Sequence, residues 1–143
     1  MPDTGIFPTR SGKGFLMKKV SSWLMQELLR NDGVQRAVIK EHGIDDAIFR
    51  VNDPGDYLAV LLSGCIEIRK GDKTLTVIEP GSIFGEMGLI DGKPRVADAI
   101  ATAPSRVAEI REGQFMALME KTPYFALEIM RLLTDRLRRQ IET

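Results

Sequence analysis

The chain has 143 residues, a length that suits one domain and leaves no room for two full ones. Twenty lysines and arginines balance twenty aspartates and glutamates. The formal net charge is therefore zero, which disfavours a general nucleic-acid binder, because such proteins carry a basic excess. One cysteine excludes an internal disulfide framework, and one histidine, His42, argues against a His/Cys metal cluster. The composition predicts a cytoplasmic, metal-free, single-domain protein.

The sequence has no segment typical of a membrane span or a signal peptide. The longest apolar run near the middle of the chain covers only residues 58–62, whereas a membrane span needs about 20 apolar residues. Residues 1–14 mix proline, glycine and charged residues without an apolar core. We therefore expect no membrane insertion, and we expect residues 1–14 to form a flexible arm.

The next segment, residues 15–46, is predicted to form N-terminal helices. Apolar residues recur at steps of three and four from Phe15 to Arg30, which indicates one face of a helix. The Asn-Asp-Gly sequence at residues 31–33 is a typical end for that helix. A second short helix is predicted from residue 34 to His42, before Gly43.

Residues 47–111 have the pattern of short strands. Apolar segments with a period near two alternate with turn signals, and Gly71-Asp72 lies between two of them, which predicts a tight hairpin. A second hairpin is predicted around Ala103-Pro104-Ser105. Several short strands at this spacing indicate a small antiparallel barrel. The predicted fold class is mainly β, an antiparallel β-roll or jelly roll with helices before and after it.

The helical period returns over residues 112–143. Thr122 is a good helix cap and Pro123 suits a first helical position, so a long helix is predicted from there to the end. Its apolar stripe consists of Ala126, Met130, Leu133, Leu137 and Ile141. We expect this stripe to pack on the barrel, and its regular spacing leaves open a homodimer through the C-terminal helix.

The chemistry of the chain is concentrated in residues 84–97. Gly85 and Gly88 allow a close approach of the backbone to a ligand, and successive N–H groups of a turn can bind an anion. Arg95 can offer two parallel N–H groups to a phosphate. Glu86 supplies an acceptor beside that anion, which a hydroxyl-bearing ligand would use. A phosphate with a neighbouring hydroxyl indicates a nucleotide or a sugar phosphate.

This stretch resembles the phosphate-binding cassette of the cyclic nucleotide-binding domain family, the cAMP-binding regulatory domains of the catabolite-activator and protein-kinase-A regulatory-subunit type. The family pattern is Gly-Glu, an apolar residue, a small residue and Leu, then a loop and Pro-Arg with a small residue. Here it reads Phe84-Gly85-Glu86-Met87-Gly88-Leu89 and Pro94-Arg95-Val96-Ala97. The resemblance extends over about residues 47–143 and includes the turn Asp53-Pro54-Gly55-Asp56.

The resemblance implies a role for each matching position. Arg95 would bind the cyclic phosphate together with backbone N–H groups of the cassette, Glu86 would accept from the ribose 2′-hydroxyl, and Gly85 would line the ribose. Arg136, Arg139 and Gln140 lie where relatives of the bacterial regulator type contact the base, and we predict contacts from the last two. The residues predicted to bind ligand are Gly85, Glu86, Met87, Gly88, Leu89, Arg95, Val96, Ala97, Arg139 and Gln140.

Three departures from the family pattern qualify this interpretation. Asn52 replaces a frequent glycine, but asparagine tolerates left-handed backbone. Val96 replaces a common Ser or Thr whose hydroxyl helps recognise guanine, which favours cAMP over cGMP. The third departure is length, because the chain ends at Thr143 in the helix that leads onward in larger family members. The interpretation is a cAMP sensor that moves its flanking helices to signal to an unidentified protein effector.

Several alternatives stay open at this point. The chain is also compatible with a degenerate family member that acts as a protein-interaction module, or with the sensor fragment of a larger regulator. An enzyme that hydrolyses cyclic phosphates is disfavoured, because it would need a metal cluster or a placed base, and the sequence has one histidine and no ligand motif. No cofactor is expected, and cGMP is the alternative ligand.

Overall fold

The computed structural model describes residues 15–16, 25–26 and 37–142. The strands are β1 (Phe15–Leu16), β2 (Val38–His42), β3 (Ala47–Phe49), β4 (Tyr57–Ser63), β5 (Ile66–Lys70), β6 (Lys73–Ile78), β7 (Ile83–Phe84), β8 (Asp98–Ala101) and β9 (Ser105–Arg111). The helices are α1 (Glu86–Asp91), α2 (Glu112–Lys121) and α3 (Pro123–Glu142). One sheet has the strand order β1-β6-β5-β8-β3, and the other has the order β2-β9-β4-β7.

Strand β4 separates two apolar cores, and for this reason its sequence is apolar from Tyr57 to Leu62. Tyr57, Ala59 and Leu61 contribute to a core shared by both sheets. Leu58 and Val60 point to the opposite face, where they pack with residues of α2 and α3. Alternate residues of a strand face opposite sides, so burial on both sides needs a continuous apolar run. The predicted mainly β fold with C-terminal helices is confirmed.

One predicted hairpin is confirmed and the other is wrong. Strands β5 and β6 pair with Lys70 opposite Lys73, around Gly71 with a φ of 61°. Strands β8 and β9 do not pair with each other, because β8 pairs with β3 and β5 whereas β9 pairs with β2 and β4. Between them the Thr102 N–H donates to the Cys65 carbonyl at 2.9 Å. The segment is therefore a corner at which the chain passes from one sheet to the other.

The prediction of N-terminal helices over residues 15–46 is wrong where the structure describes strands. Val38–His42 forms β2 and pairs antiparallel with β9, and Phe15–Leu16 forms β1 and pairs in parallel with β6. Strand β2 begins with two β-branched residues, and pairing covers an edge of β9 that would otherwise expose its hydrogen-bonding groups. Met25–Gln26 is helical, and Met25 packs against the core beside α2 and α3. The predicted arm, residues 1–14, lies outside the described residues.

Helix α3 begins at Pro123 as predicted, but a different face of it packs on the barrel. Its buried residues are Phe125, Ile129 and Leu132. Met130, Leu137 and Ile141 of the predicted stripe are 56%, 58% and 76% exposed. The helix has two apolar stripes with helical spacing, and the one that contains the aromatic residue covers the sheet. The expectation that the Ala126–Ile141 stripe packs on the barrel is therefore wrong for these three residues.

Candidate functional site

Two glycines position helix α1 of the cassette, and the second of them lies against the turn that precedes β4. Gly85, with a φ of 74°, is the N-cap of α1, and this left-handed backbone favours glycine. Gly88 lies within α1 against Gly55, where an added Cβ would come within 2.7 Å of the Gly55 Cα. The backbones of Gly55 and Gly88 therefore touch, with no room for a side chain on either residue, and this contact joins α1 to the turn at residues 52–56.

The same turn holds the backbone of Arg95. The Asn52 N–H donates to the Arg95 carbonyl at 2.8 Å, and the Arg95 N–H donates to the Asp53 carbonyl at 2.8 Å. Asn52 has a φ of 75°, so the prediction that it would accept the left-handed backbone of the family's glycine is confirmed. This pair of hydrogen bonds fixes where the Arg95 side chain enters the barrel.

The Arg95 guanidinium is buried and held by uncharged groups. Arg95 is only 5% exposed to solvent. Its Nη1 donates to the Gly85 carbonyl and its Nη2 to the Tyr57 carbonyl, both at 2.6 Å. The guanidinium carbon lies 4.1 Å from the centroid of the Phe49 ring and 4.8 Å from that of Tyr57.

This cation is incompletely satisfied. Burial lowers the pKa of Arg95, although a guanidinium remains protonated at neutral pH. No ion pair joins Arg95 to a carboxylate in the described part of the chain. Its buried Nε also has no hydrogen-bond partner there. A buried charge without a counter-charge is costly, so the site is suited to an anion.

The carboxylate of Glu86 lies at the start of α1 and is almost completely buried. Its Oε2 forms an ion pair with the Arg136 Nη1 of α3, and the Arg136 Nη2 donates to the Ile83 carbonyl at 2.5 Å. The Glu86 Oε1 is buried and has no hydrogen-bond partner among the described residues. The cassette therefore offers an unused acceptor, the Glu86 Oε1, in addition to an unused donor, the Arg95 Nε. The ion pair with Arg136 also joins α3 to the cassette.

The remaining predicted residues differ in their positions. Gly88 and Ala97 are buried, and Leu89 is partly buried against the core beside α2 and α3. Met87 and Val96 are 57% and 62% exposed. These positions are all within the cassette, and their proposed contacts with a ligand stay predictions.

On α3, the contact with the cassette comes from Arg136, one turn before the residues that are predicted to contact the base. Arg136 reaches Glu86, whereas the Arg139 Nε donates to Asp135 of the same helix at 3.0 Å, and Gln140 is exposed. Sequence reasoning placed Arg136 in the right region without a partner. It missed Phe49 and Tyr57 altogether, and only their aromatic character near the Asp-Pro-Gly-Asp turn could have indicated them.

A cleft of about 430 Å³ lies beside the cassette. Its lining residues are Asn52, Pro54, Gly55, Asp56, Gly88, Leu89, Gly92, Pro94 and Glu112. The lining includes neither Glu86 nor Arg95, so this cleft is not where the two unsatisfied groups lie. Within the described ranges, no cluster of three or more His, Cys, Asp or Glu residues could hold a metal ion. None of the described helices is long and apolar enough to cross a bilayer.

Comparison with known proteins agrees with the geometry of the site. The model of the cyclic nucleotide-binding domain matches residues 40–122, more than half of the chain. The chain belongs to the cyclic nucleotide-binding domain family, whose members are regulatory domains rather than enzymes.

Individual relatives point to the same family. Over 96 residues the chain is 31% identical to the cyclic AMP receptor protein of Thermus thermophilus. The matched region is 64% of this chain and 44% of that protein. Over 74 residues it is 34% identical to a cAMP-dependent protein kinase regulatory subunit of Hypocrea atroviridis, covering 52% of this chain and 16% of that protein. The chain thus spans less than half the length of these curated relatives.

A solved structure shows the same fold. The crystal structure of the Thermus thermophilus catabolite activator protein has a TM-score of 0.73 and 26% sequence identity. The match covers 84% of this chain and 56% of that one. The chain is therefore a cyclic nucleotide-binding regulatory domain similar to those of the bacterial regulators and the kinase regulatory subunits.

Proposed function

We propose that this domain senses cAMP. The observation that carries the proposal is the buried Arg95 guanidinium, which has no carboxylate partner in the described chain and whose Nε has no hydrogen-bond partner there. Only two of its five N–H groups donate to carbonyls, so others remain for a phosphate. A cyclic phosphate diester carries a single negative charge, which matches a single uncompensated guanidinium. Charge-assisted hydrogen bonds to such an anion are about twice as strong as neutral ones.

The second unsatisfied group supports a nucleotide rather than a simple phosphate. The buried Glu86 Oε1 can accept a hydrogen bond, and a ribose 2′-hydroxyl is a donor of the right kind. Glu86 follows Gly85, whose carbonyl already binds Arg95, so the phosphate and hydroxyl contacts come from adjacent parts of the cassette. We propose that backbone N–H groups of Met87, Gly88 and Ala97 complete the phosphate site, and that Arg139 and Gln140 contact the base.

The proposed signal passes through α3. The ion pair between Glu86 and Arg136 joins the acceptor for the ribose directly to this helix. A ligand shifts a conformational equilibrium only to the extent that it prefers one arrangement. Ribose bound at Glu86 would alter the environment of Arg136, so bound and free protein would differ in how firmly the helix end is docked. An unidentified protein effector would read that difference.

Binding of cAMP is expected to stabilise the domain against heat. A ligand at about 100 times its Kd adds roughly 2.7 kcal/mol to the free energy of unfolding. For a chain of this length that corresponds to a rise in Tm of very roughly 5–10 °C. Differential scanning fluorimetry with increasing cAMP measures the shift, with linear 5′-AMP as the control, because its dianionic phosphate does not suit the cassette. A Tm that stays constant up to millimolar cAMP would contradict the proposal.

Selectivity is expected to favour cAMP over cGMP by about tenfold, or 1.4 kcal/mol. Val96 lacks the hydroxyl that family members use to recognise guanine, and it is exposed enough to accept a polar substitution without disturbing the core. Val96→Thr should narrow the difference in Kd between the two nucleotides, measured by isothermal titration calorimetry. Equal affinities in the parent would show that base selectivity resides elsewhere, and the C-terminal half of α3 would then be the first place to look.

Exposed apolar side chains support a role in protein interaction as the second candidate function. Met130, Leu137 and Ile141 form a stripe on the outer face of α3, and Met87 and Ile90 are exposed on α1. Spacings of seven and four residues along α3 suit helix pairing, so a homodimer through this helix is part of the proposal. The interaction function would stand alone if the cassette proved unable to bind a nucleotide.

A further inference from the structure

The guanidinium of Arg95 lies over two buried aromatic rings. Phe49 and Tyr57 are 7% and 8% exposed, and their ring centroids are 4.1 Å and 4.8 Å from the Arg95 Cζ. Both distances are within the range of about 6 Å in which an aromatic ring attracts a cation, and the attraction is strongest where water is excluded. The two rings therefore compensate part of the cost of burying this charge.

The ring of Tyr57 has a second arginine over it and a hydrogen bond from its hydroxyl. The Cζ of Arg111 lies 5.0 Å from the ring centroid, and the Tyr57 hydroxyl donates to the Ile48 carbonyl at 3.4 Å. Arg111 is in turn fixed by ion pairs of 3.1 Å with Asp56 and 3.3 Å with Glu109. Burial raises the pKa of Tyr57, so its phenol is neutral at physiological pH. Tyr57 is thus held by contacts with a buried arginine, Arg95, and a half-exposed one, Arg111.

Packing alone does not account for this arrangement. An aliphatic side chain could fill the volume, but it would offer the buried cation no favourable electrostatic contact. Arg95 has two carbonyl partners and no carboxylate within ion-pair distance in the described chain, so the rings supply part of the remaining compensation. A guanidinium confined in this way loses less conformational freedom when it binds an anion.

We propose that Tyr57 is a positioning residue for Arg95, and that Phe49 and Tyr57 together form an aromatic clamp around its guanidinium. The clamp keeps the guanidinium in one orientation, so that its unused Nε–H is already in place when a phosphate binds. This inference rests on the proposed function for its effect on affinity. The orientation of Arg95 is a property of the ligand-free protein and can be measured separately.

The affinity test compares an aromatic with an aliphatic replacement of Tyr57. Tyr57→Phe keeps the ring and should bind cAMP within about threefold of the parent, whereas Tyr57→Leu should bind about tenfold more weakly. Tyr124→Leu is the matched control, since this tyrosine is half-exposed on α3, and it should leave the Kd unchanged. If Tyr57→Leu fails to fold, Phe49→Tyr and Phe49→Leu provide the same comparison. A Tyr57→Leu variant that binds like the parent, or a Tyr57→Phe variant that binds as weakly as Tyr57→Leu, would overturn the clamp.

A second readout follows Arg95 without nucleotide. The ¹⁵N-detected Nε–H signal of Arg95, assigned by its loss in Arg95→Lys, should be protected from solvent exchange in the parent and in Tyr57→Phe. In Tyr57→Leu it should move towards the position and exchange rate of exposed arginines. If the parent binds no cAMP, the proposed function fails, and this signal alone then decides the clamp. An unchanged Arg95 signal in Tyr57→Leu would overturn it.

Discussion

Replacing Arg95 with leucine is expected to weaken cAMP binding by about a hundredfold or more. Each charge-assisted hydrogen bond from the guanidinium to the phosphate is worth roughly 1.5–3 kcal/mol, and two of them together exceed the 2.7 kcal/mol that corresponds to a hundredfold change in Kd. Leucine would be accommodated by the apolar rings of Phe49 and Tyr57, so the β-roll should still fold. Isothermal titration calorimetry gives the Kd, and circular dichroism checks the fold.

Two further variants separate the charge from its geometry. Arg95→Lys retains a cation but loses the planar fork, so its affinity should lie between those of the parent and Arg95→Leu. Arg106→Leu is the matched control, because Arg106 is exposed on β9 and its loss should not change the Kd. Parent-like binding by both Arg95 variants would show that the phosphate site is not at the cassette.

The loss of Arg95 should also lower stability. The carbonyls of Gly85 and Tyr57 would lose their donors, and an unsatisfied buried carbonyl costs about 1–3 kcal/mol. This penalty is offset by removal of an incompletely compensated buried charge. The free energy of unfolding of ligand-free Arg95→Leu should therefore fall only slightly. Its Tm should stay close to that of the parent, although its affinity for cAMP falls about a hundredfold.

The parts of the site that could be predicted from sequence are those determined by local backbone. Gly85, Gly88 and Asn52 occupy positions where a left-handed conformation or a close approach excludes most residues, and such requirements leave a short, recognisable pattern. The cassette and its turn were identified for this reason. The hairpin at Gly71 is local in the same way.

The parts that were missed depend on contacts between distant segments. Arg136 and Glu86 are separated by 50 positions, and no spacing rule relates a helix near the C terminus to a carboxylate at the start of α1. Val38 and Ile39 are both exposed in β2, so the segment lacks the alternation of apolar and polar residues that indicates a strand. The segment is a strand because it pairs with the edge of β9. The corner at residues 102–105 was interpreted as a hairpin because a turn does not reveal which sheet follows it.

The orientation of α3 illustrates a different limit. Its sequence contains one apolar stripe through Phe125, Ile129 and Leu132 and another through Met130 and Leu137, and both have helical spacing. Periodicity identifies the helix but not which stripe meets the sheet. The choice depends on the volume available beside β4 and β9, where Phe115 and Phe125 pack edge to face with ring centroids 5.5 Å apart.

Replacing Arg136 with glutamine is expected to loosen the C-terminal half of α3. The variant leaves the buried Glu86 carboxylate without its cation, and breaking a buried ion pair in this way costs about 3–5 kcal/mol. That figure is an upper bound here, because the end of the helix can undock and allow water to reach Glu86. Amide exchange over residues 134–142 should therefore be faster in Arg136→Gln than in the parent, while exchange in β6 should stay the same. Arg138→Gln, at an exposed position on the same helix, is the control.

The same pair connects docking of the helix to the nucleotide. In the parent, cAMP should slow exchange over residues 134–142 more than in β6, since the ribose hydroxyl and Arg136 would share the Glu86 carboxylate. In the double variant Glu86→Gln with Arg136→Gln, neither member of the ion pair leaves a charge behind, so part of the stability lost in Arg136→Gln should return. The double variant should nevertheless show a smaller cAMP effect on the helix. If exchange in Arg136→Gln matched the parent and cAMP left residues 134–142 unchanged, the apolar contacts of Phe125, Ile129 and Leu132 would be sufficient to dock the helix. The helix would then be a fixed support, and the signal would have to leave the domain by another route.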